Sequence, residues 1–231
     1  MIRFLRFKKY AGTKYRGIVY REKYRYSNNM TEKYIPKKKS IMLYGYDSAG
    51  KSRELNKVYK KRLELFRANS TFLYISFHDS IAEVIYKNIT DTHIKNYILS
   101  LPVDKQVFAE SNISKQFFKI EVLKFIATGA YLFIDDLDKF SGKKLEIVKD
   151  LVRVSKVIFA TARDYKSINK TIYKQINYKE HTAITLSTKN SFDATNYILI
   201  ALMVPFAISG NYAIVMMLLL MNRFLDKGLG R

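Results

Sequence analysis

The sequence predicts an α/β fold: a three-layer sandwich around a parallel five-stranded sheet, followed by an all-helical hydrophobic C-terminal segment. Three observations predict it. Apolar runs of strand length alternate with stretches of helical period along residues 40–190. A loop bracketed by glycines, Gly45 to Ser52, stands between the first apolar run and the first helical stretch. A later run, Tyr131-Leu132-Phe133-Ile134, ends in two carboxylates, Asp135 and Asp136.

The elements follow in chain order. Residues 1–39 form a basic, weakly structured lead-in, with a short strand expected at 17–20 and an end at Pro36 and the run Lys37-Lys38-Lys39. Ser40-Ile41-Met42-Leu43-Tyr44 is the first core strand, stopped by Gly45. Leu55, Val58, Tyr59, Leu63 and Phe66 then recur at helical spacing, so a helix is expected from Lys51 to about Arg67. The aromatic and β-branched run Thr71–Phe77 is a second strand. Helical stretches are expected near Ile81–Asn88, Asp91–Leu101 and Ser114–Ile126, before the carboxylate-ended strand. A helix at Lys143–Arg153, a strand at Val157–Thr161 and a fifth strand at Thr182–Leu186 complete the core. Strands alternating with helices require a parallel sheet covered on both faces.

Charge narrows the partners. Forty-one Lys and Arg against twenty Asp and Glu leave +21, far above the few units usual for a soluble domain. Thirteen basic and two acidic residues fall within Met1–Ser40, interleaved with Tyr10, Tyr15, Tyr20, Tyr24 and Tyr26. Cations among aromatics suit the stacking and phosphate contacts of a nucleic acid, and equally an anionic lipid surface or a solvated arm. The absence of Cys excludes disulfides, thiolate metal sites and a cysteine nucleophile. Three scattered His residues lack metal-ligand spacing. The N-terminal residues lack the apolar stretch of a secretory signal, and the location expected is cytoplasmic, with membrane association through the C-terminal apolar segment as its open alternative.

Gly45-Tyr46-Asp47-Ser48-Ala49-Gly50-Lys51-Ser52 satisfies the P-loop pattern in full, in the strand–loop–helix context that pattern needs. Its glycines admit backbone conformations closed to other residues, and the loop amides with the following helix N-terminus make an anion cradle. The loop as a whole, Gly45 through Ser52, is therefore the expected nucleotide-binding element. Lys51 is expected at the β- and γ-phosphates of ATP, and the Ser52 hydroxyl at Mg²⁺. Asp135, at the carboxyl edge of its strand, is the second expected Mg²⁺ residue. Asp136 and Asp138 are the candidates to orient and deprotonate the attacking water. Thr161 and Arg163 follow the apolar run at 157–159 and are candidate sensors of the terminal phosphate.

Taken together, these residues resemble the additional-strand branch of P-loop ATPases, which includes AAA+ and the related STAND and KAP groups. The resemblance covers roughly residues 40–190. Phe133-Ile134-Asp135-Asp136-Leu137-Asp138-Lys139 is similar to the Walker B strand of KAP ATPases, and Phe159-Ala160-Thr161-Ala162-Arg163 to the sensor of STAND ATPases. It implies a sheet of order 5-1-4-3-2, with the sensor strand between the carboxylate and P-loop strands. Two departures stand out. Asp136 occupies the position where AAA+ enzymes usually carry Glu, and after Arg163 the next arginine is Arg223. A slow nucleotide switch, rather than a hexameric motor, is the expectation. No Asn-Lys-x-Asp guanine-reading motif is present.

Residues 191–231 differ in composition. No charged residue occurs from Ala194 to Asn222, a stretch long enough to span a bilayer despite Pro205. Three readings stay open for this segment: a small helical lid after the fifth strand, a membrane anchor or hairpin, and an oligomer contact. The expected domains are a lead-in over 1–39, an ATPase core over 40–190 and this segment over 191–231. Two functions follow. The first is an ATP-hydrolysing switch acting on a nucleic acid or other macromolecule through the basic N-terminus. The second is a membrane-anchored nucleotide-binding scaffold with little hydrolysis.

Overall fold

The computed structural model describes residues 2–10, 17–24, 30–36, 38–47, 49–66, 70–186, 203–205 and 208–210. The chain divides into two units, residues 1–189 and 190–231.

The lead-in is more ordered than its charge suggests. It forms a three-stranded antiparallel sheet of β1 (Ile2–Tyr10), β2 (Gly17–Tyr24) and β3 (Met30–Pro36), in that spatial order. The register sets Phe7 opposite Tyr20 and Ile18 opposite Ile35, and all four side chains are buried. On the opposite face, at the alternate positions, Val19 stands opposite Tyr34 and Arg21 opposite Glu32, the latter two forming an ion pair. A period-two pattern of this kind gives one buried and one solvated face.

The core sheet has the opposite character. Its strands β4 (Ser40–Tyr44), β5 (Phe72–Ser76), β6 (Tyr131–Asp135), β7 (Val157–Ala162) and β8 (His181–Thr185) are all parallel, in the spatial order β5-β6-β7-β4-β8. Every residue of β4, β6 and β7 is buried, which only a strand covered on both faces requires. The carboxylate strand β6 is thus separated from the loop-bearing β4 by β7.

Alternate strand residues feed two cores. Met42, Leu132, Ile134, Ile158 and Ala160 pack with one set of helices. These include α3 (Ile81–Asn88), α4 (Asp91–Ser100), α5 (Val103–Ser111), α6 (Gln116–Ala127), α7 (Gly142–Val154) and α8 (Lys170–Tyr178). Ile41, Leu43, Phe133 and Phe159 face the other way, toward Leu55, Val58 and the buried side of the N-terminal sheet. There the rings of Phe133 and Phe159 stack at 4.8 Å, with Phe66 edge-on to Phe159 at 5.5 Å. The single helix expected from Lys51 to about Arg67 is instead two, α1 (Lys51–Lys60) and α2 (Arg62–Leu65), ended where Phe66 turns extended to join this aromatic layer.

Two polar devices fix the sheet. Asn88, buried at the end of α3, accepts from the backbone N–H of Tyr74 and donates to its carbonyl, both at 2.9 Å, so its amide completes the edge strand β5. Lys179 donates to the carbonyls of Val152, Arg153 and Ser155, satisfying the C-terminal end of α7.

The expected location needs correction. Among the described residues no helix is long and apolar enough to cross a membrane. Most of 194–222 lies outside the described residues, as does most of the hydrophobic segment expected over 191–231. Within it, Met203–Pro205 and Ile208 are helical, but Ser209 and Gly210 form a turn, with Gly210 at φ 76° and the Ser209 N–H bonded to the Pro205 carbonyl. A left-handed glycine there stops the helix. The reading as a membrane-attached protein is therefore withdrawn.

Candidate functional site

The site lies at the carboxyl edge of the parallel sheet, where β4 and β6 release their chains. A cleft of about 360 Å³ is lined by Asp47, Ala49, Gly50, Lys51, Ser52, Arg53, Asp136 and Lys139. It has two walls.

The first wall is the loop after β4. Gly45 leaves the strand with its N–H directed at the carbonyls of Ala162 and Arg163, each 3.2 Å away. Gly50 sits at φ 82°, in the left-handed region, and starts α1 with no side-chain cap on the helix amides. Those uncapped N–H groups, with the helix dipole behind them, favour an anion. Lys51 folds back along the loop, donating to the Gly45 carbonyl at 2.6 Å and the Tyr46 carbonyl at 3.0 Å, and is only 6% exposed. Asp47 lies 4.0 Å from that ammonium and accepts from the Arg163 guanidinium at 2.8 Å. The hydrogen bond from Arg163 holds the Asp47 carboxyl below its ordinary range. Ser52 is exposed at the cleft, and Ser48 lies outside the described residues.

The second wall is the end of β6. Thr161, fully buried in β7, joins its two carboxylate residues. Its hydroxyl donates to Asp135 Oδ1 at 2.7 Å and accepts the Asp136 N–H at 2.7 Å. Asp136 takes a left-handed conformation, φ 54°, which Asp tolerates better than most residues. That twist winds Leu137–Lys139 into a single 3₁₀ turn, with the Lys139 N–H on the Asp136 carbonyl at 3.0 Å. The Lys139 ammonium comes back to Asp136 Oδ2 at 2.8 Å, and this bond raises its pKa above the ordinary ammonium value. His78, just past β5, sits 3.7 Å from the same oxygen. Asp138 Oδ1 is enclosed with no hydrogen-bond partner.

Seven of the eight loop residues singled out in the sequence are described, and all seven form this one strand–loop–helix unit. Asp136 lines the cleft, whereas Asp135 and Thr161 stand behind it. Arg163 reaches the loop through Asp47, and Asp138 is not among the cleft-lining residues. Lys139, Arg53 and His78 went unnoticed in the sequence. Lys139 had a signal, since it stands three residues after Asp136 in the same motif. The other two had none.

No protein-family model and no characterised protein sequence matches the chain. Among solved structures, ATPases 2 and 3 of EccC from Thermomonospora curvata in complex with a signal sequence peptide align at 10% identity and TM-score 0.42, over 77% of this chain and 36% of that one. The cytoplasmic domain of the type VII secretion ATPase EccC from the same organism aligns at 8% identity and TM-score 0.42, over 78% and 24%. Drosophila ORC bound to GC-rich DNA and Cdc6 aligns at 16% identity and TM-score 0.35, over 80% and 66%. The chain thus spans about a third and a quarter of the two EccC chains. Likenesses this distant carry no argument about function. The five-stranded parallel sheet and the loop after β4 are themselves consistent with a P-loop NTPase fold.

Proposed function

We propose that this protein is a Mg²⁺-dependent ATPase that acts as a nucleotide switch. The observation that carries the reading is the cleft itself: an anion-seeking loop with its buried lysine faces a strand end bearing two buried carboxylates. The residues fit the group they would hold. Gly50 gives the loop the left-handed turn that aims the α1 amides at a phosphate, and a Cβ there would approach nothing closer than the Arg53 guanidinium at 3.5 Å. Lys51 would transfer from the loop carbonyls to the β- and γ-phosphates, with Ser52 and Asp135 holding Mg²⁺. The metal would supply charge neutralisation at the phosphate oxygens. Thr161 fixes Asp135 and the turn at Asp136, so the carboxylates are oriented in advance. Asp136 would take the proton of the attacking water.

The expected result is a Mg²⁺-dependent release of phosphate from ATP that falls at least about a hundredfold in Lys51→Ala and in Asp135→Ala. Hydrolysis unchanged in both variants would sink the assignment. The additional-strand branch remains the family reading, on the motif and the strand order.

The switch is proposed to act on a nucleic acid through the N-terminal sheet. Thirteen basic residues in the first forty, seven of them in the strands of this sheet, and a solvated face that carries Arg21 and Tyr34 support phosphate contacts with aromatic stacking. Binding to single- or double-stranded DNA is expected to weaken steeply between 50 and 200 mM salt, roughly in proportion to the number of phosphates neutralised. No binding at low salt would turn the sheet toward a protein partner.

A further inference from the structure

We propose that Lys139 is the γ-phosphate sensor of this site, a cation supplied in cis that exchanges between the Asp136 carboxylate and the terminal phosphate of a bound nucleoside triphosphate. The inference rests on the nucleotide-site reading above and goes beyond it.

Placement is the first ground. Among the described residues lining the cleft, the cations are Lys51, Arg53 and Lys139. Lys51 belongs to the loop. Arg53 stands on the α1 side, half a turn into the helix, with Glu54 3.3 Å from its guanidinium. Lys139 alone comes from the carboxylate wall, which faces the terminal phosphate when Lys51 bridges the β- and γ-phosphates and Asp135 holds Mg²⁺. Arg163, the arginine nearest in sequence to such a role, is bound to Asp47 on the loop.

Mechanics are the second. The backbone of Lys139 is fixed, because Leu137 and Phe140 on either side of it are buried and its N–H closes the 3₁₀ turn. Its side chain is 38% exposed, so the ammonium can swing about a fixed base while Asp136, 9% exposed, stays in place. An ammonium between a singly charged carboxylate and a more highly charged phosphate goes to the phosphate, since attraction scales with the charge product. With a diphosphate bound, the carboxylate has no competitor and Lys139 returns to it. Asp136 Oδ2 is therefore covered in the diphosphate state and open in the triphosphate state. The arrangement needs no arginine from a second subunit.

The test is nucleotide affinity, measured by fluorescence titration of the full chain with ADP and with a non-hydrolysable ATP analogue, both with Mg²⁺. Lys139→Ala is expected to lose about tenfold in affinity for the triphosphate while ADP affinity stays within about twofold, and Lys139→Arg to keep most of the preference. Asp136→Asn, which removes the competing anion, is expected to tighten the triphosphate relative to ADP. An unchanged triphosphate-to-diphosphate ratio in Lys139→Ala would overturn the sensor role while leaving the site intact. A wild-type chain that binds neither nucleotide would overturn the site reading, and the sensor with it.

Discussion

The two walls of the cleft are built on different principles. The loop wall is specified by backbone: two glycines, a helix start and main-chain carbonyls that hold Lys51. The carboxylate wall is specified by side chains that meet across two strands, with Thr161 of β7 bridging Asp135 and Asp136 of β6. Backbone-specified geometry is local, so eight consecutive residues contain it. Side-chain geometry is assembled from residues 25 and 26 positions apart, and it depends on the sheet having formed.

The contrast predicts that damage to the carboxylate wall costs stability as well as activity. Thr161→Val keeps the volume but strands the buried Asp136 N–H, and is expected to lower stability by about 2–3 kcal/mol. Thermal unfolding should show a Tm lower by roughly 5–10 °C, with weakened Mg²⁺-dependent turnover. Gly50→Ala attacks the loop wall through its φ of 82°, since the added Cβ would meet only the Arg53 guanidinium, at the ordinary contact distance of 3.5 Å. About 1–2 kcal/mol is expected, with nucleotide affinity falling more than that change in stability would suggest. Arg163→Ala removes an exposed tether between the walls, so denaturant unfolding should shift by under about 1 kcal/mol. A larger shift would mean that the walls are coupled through Arg163 and Asp47.

The smallest effect lies outside both walls. Burial lowers the pKa of His181, at the start of β8, below its ordinary 6.5. The unfolded chain therefore takes up the proton more readily than the folded one, and stability is full above about pH 6.5 and declines below it. A pH series of Tm values should show that decline, and His181→Gln should flatten it.

Legibility in the sequence followed the same division. The loop and the five core strands were readable because glycine spacing and uninterrupted apolar runs are local signals. Of the N-terminal strands only residues 17–20, within β2, were readable; Lys and Arg crowd the apolar alternation of the rest, and the packing of Phe7, Ile18, Tyr20 and Ile35 reveals it. Helix α5 escaped notice because Val103, Val107 and Phe108 face solvent and only Ala109 is buried, leaving no stripe to find. Helix α8 did carry one, Ile172 and Ile176, both fully buried. The link from Thr161 to both aspartates depends on strand register, which no spacing in the chain announces.

Asn88 has a consequence for assembly. An unpaired strand at a sheet margin is a template on which another polypeptide can add itself by main-chain pairing. By occupying both backbone groups of Tyr74, the Asn88 amide closes the middle of that margin to an incoming chain. Asn88→Ala would vacate those groups, and self-association through β5 is the expected result.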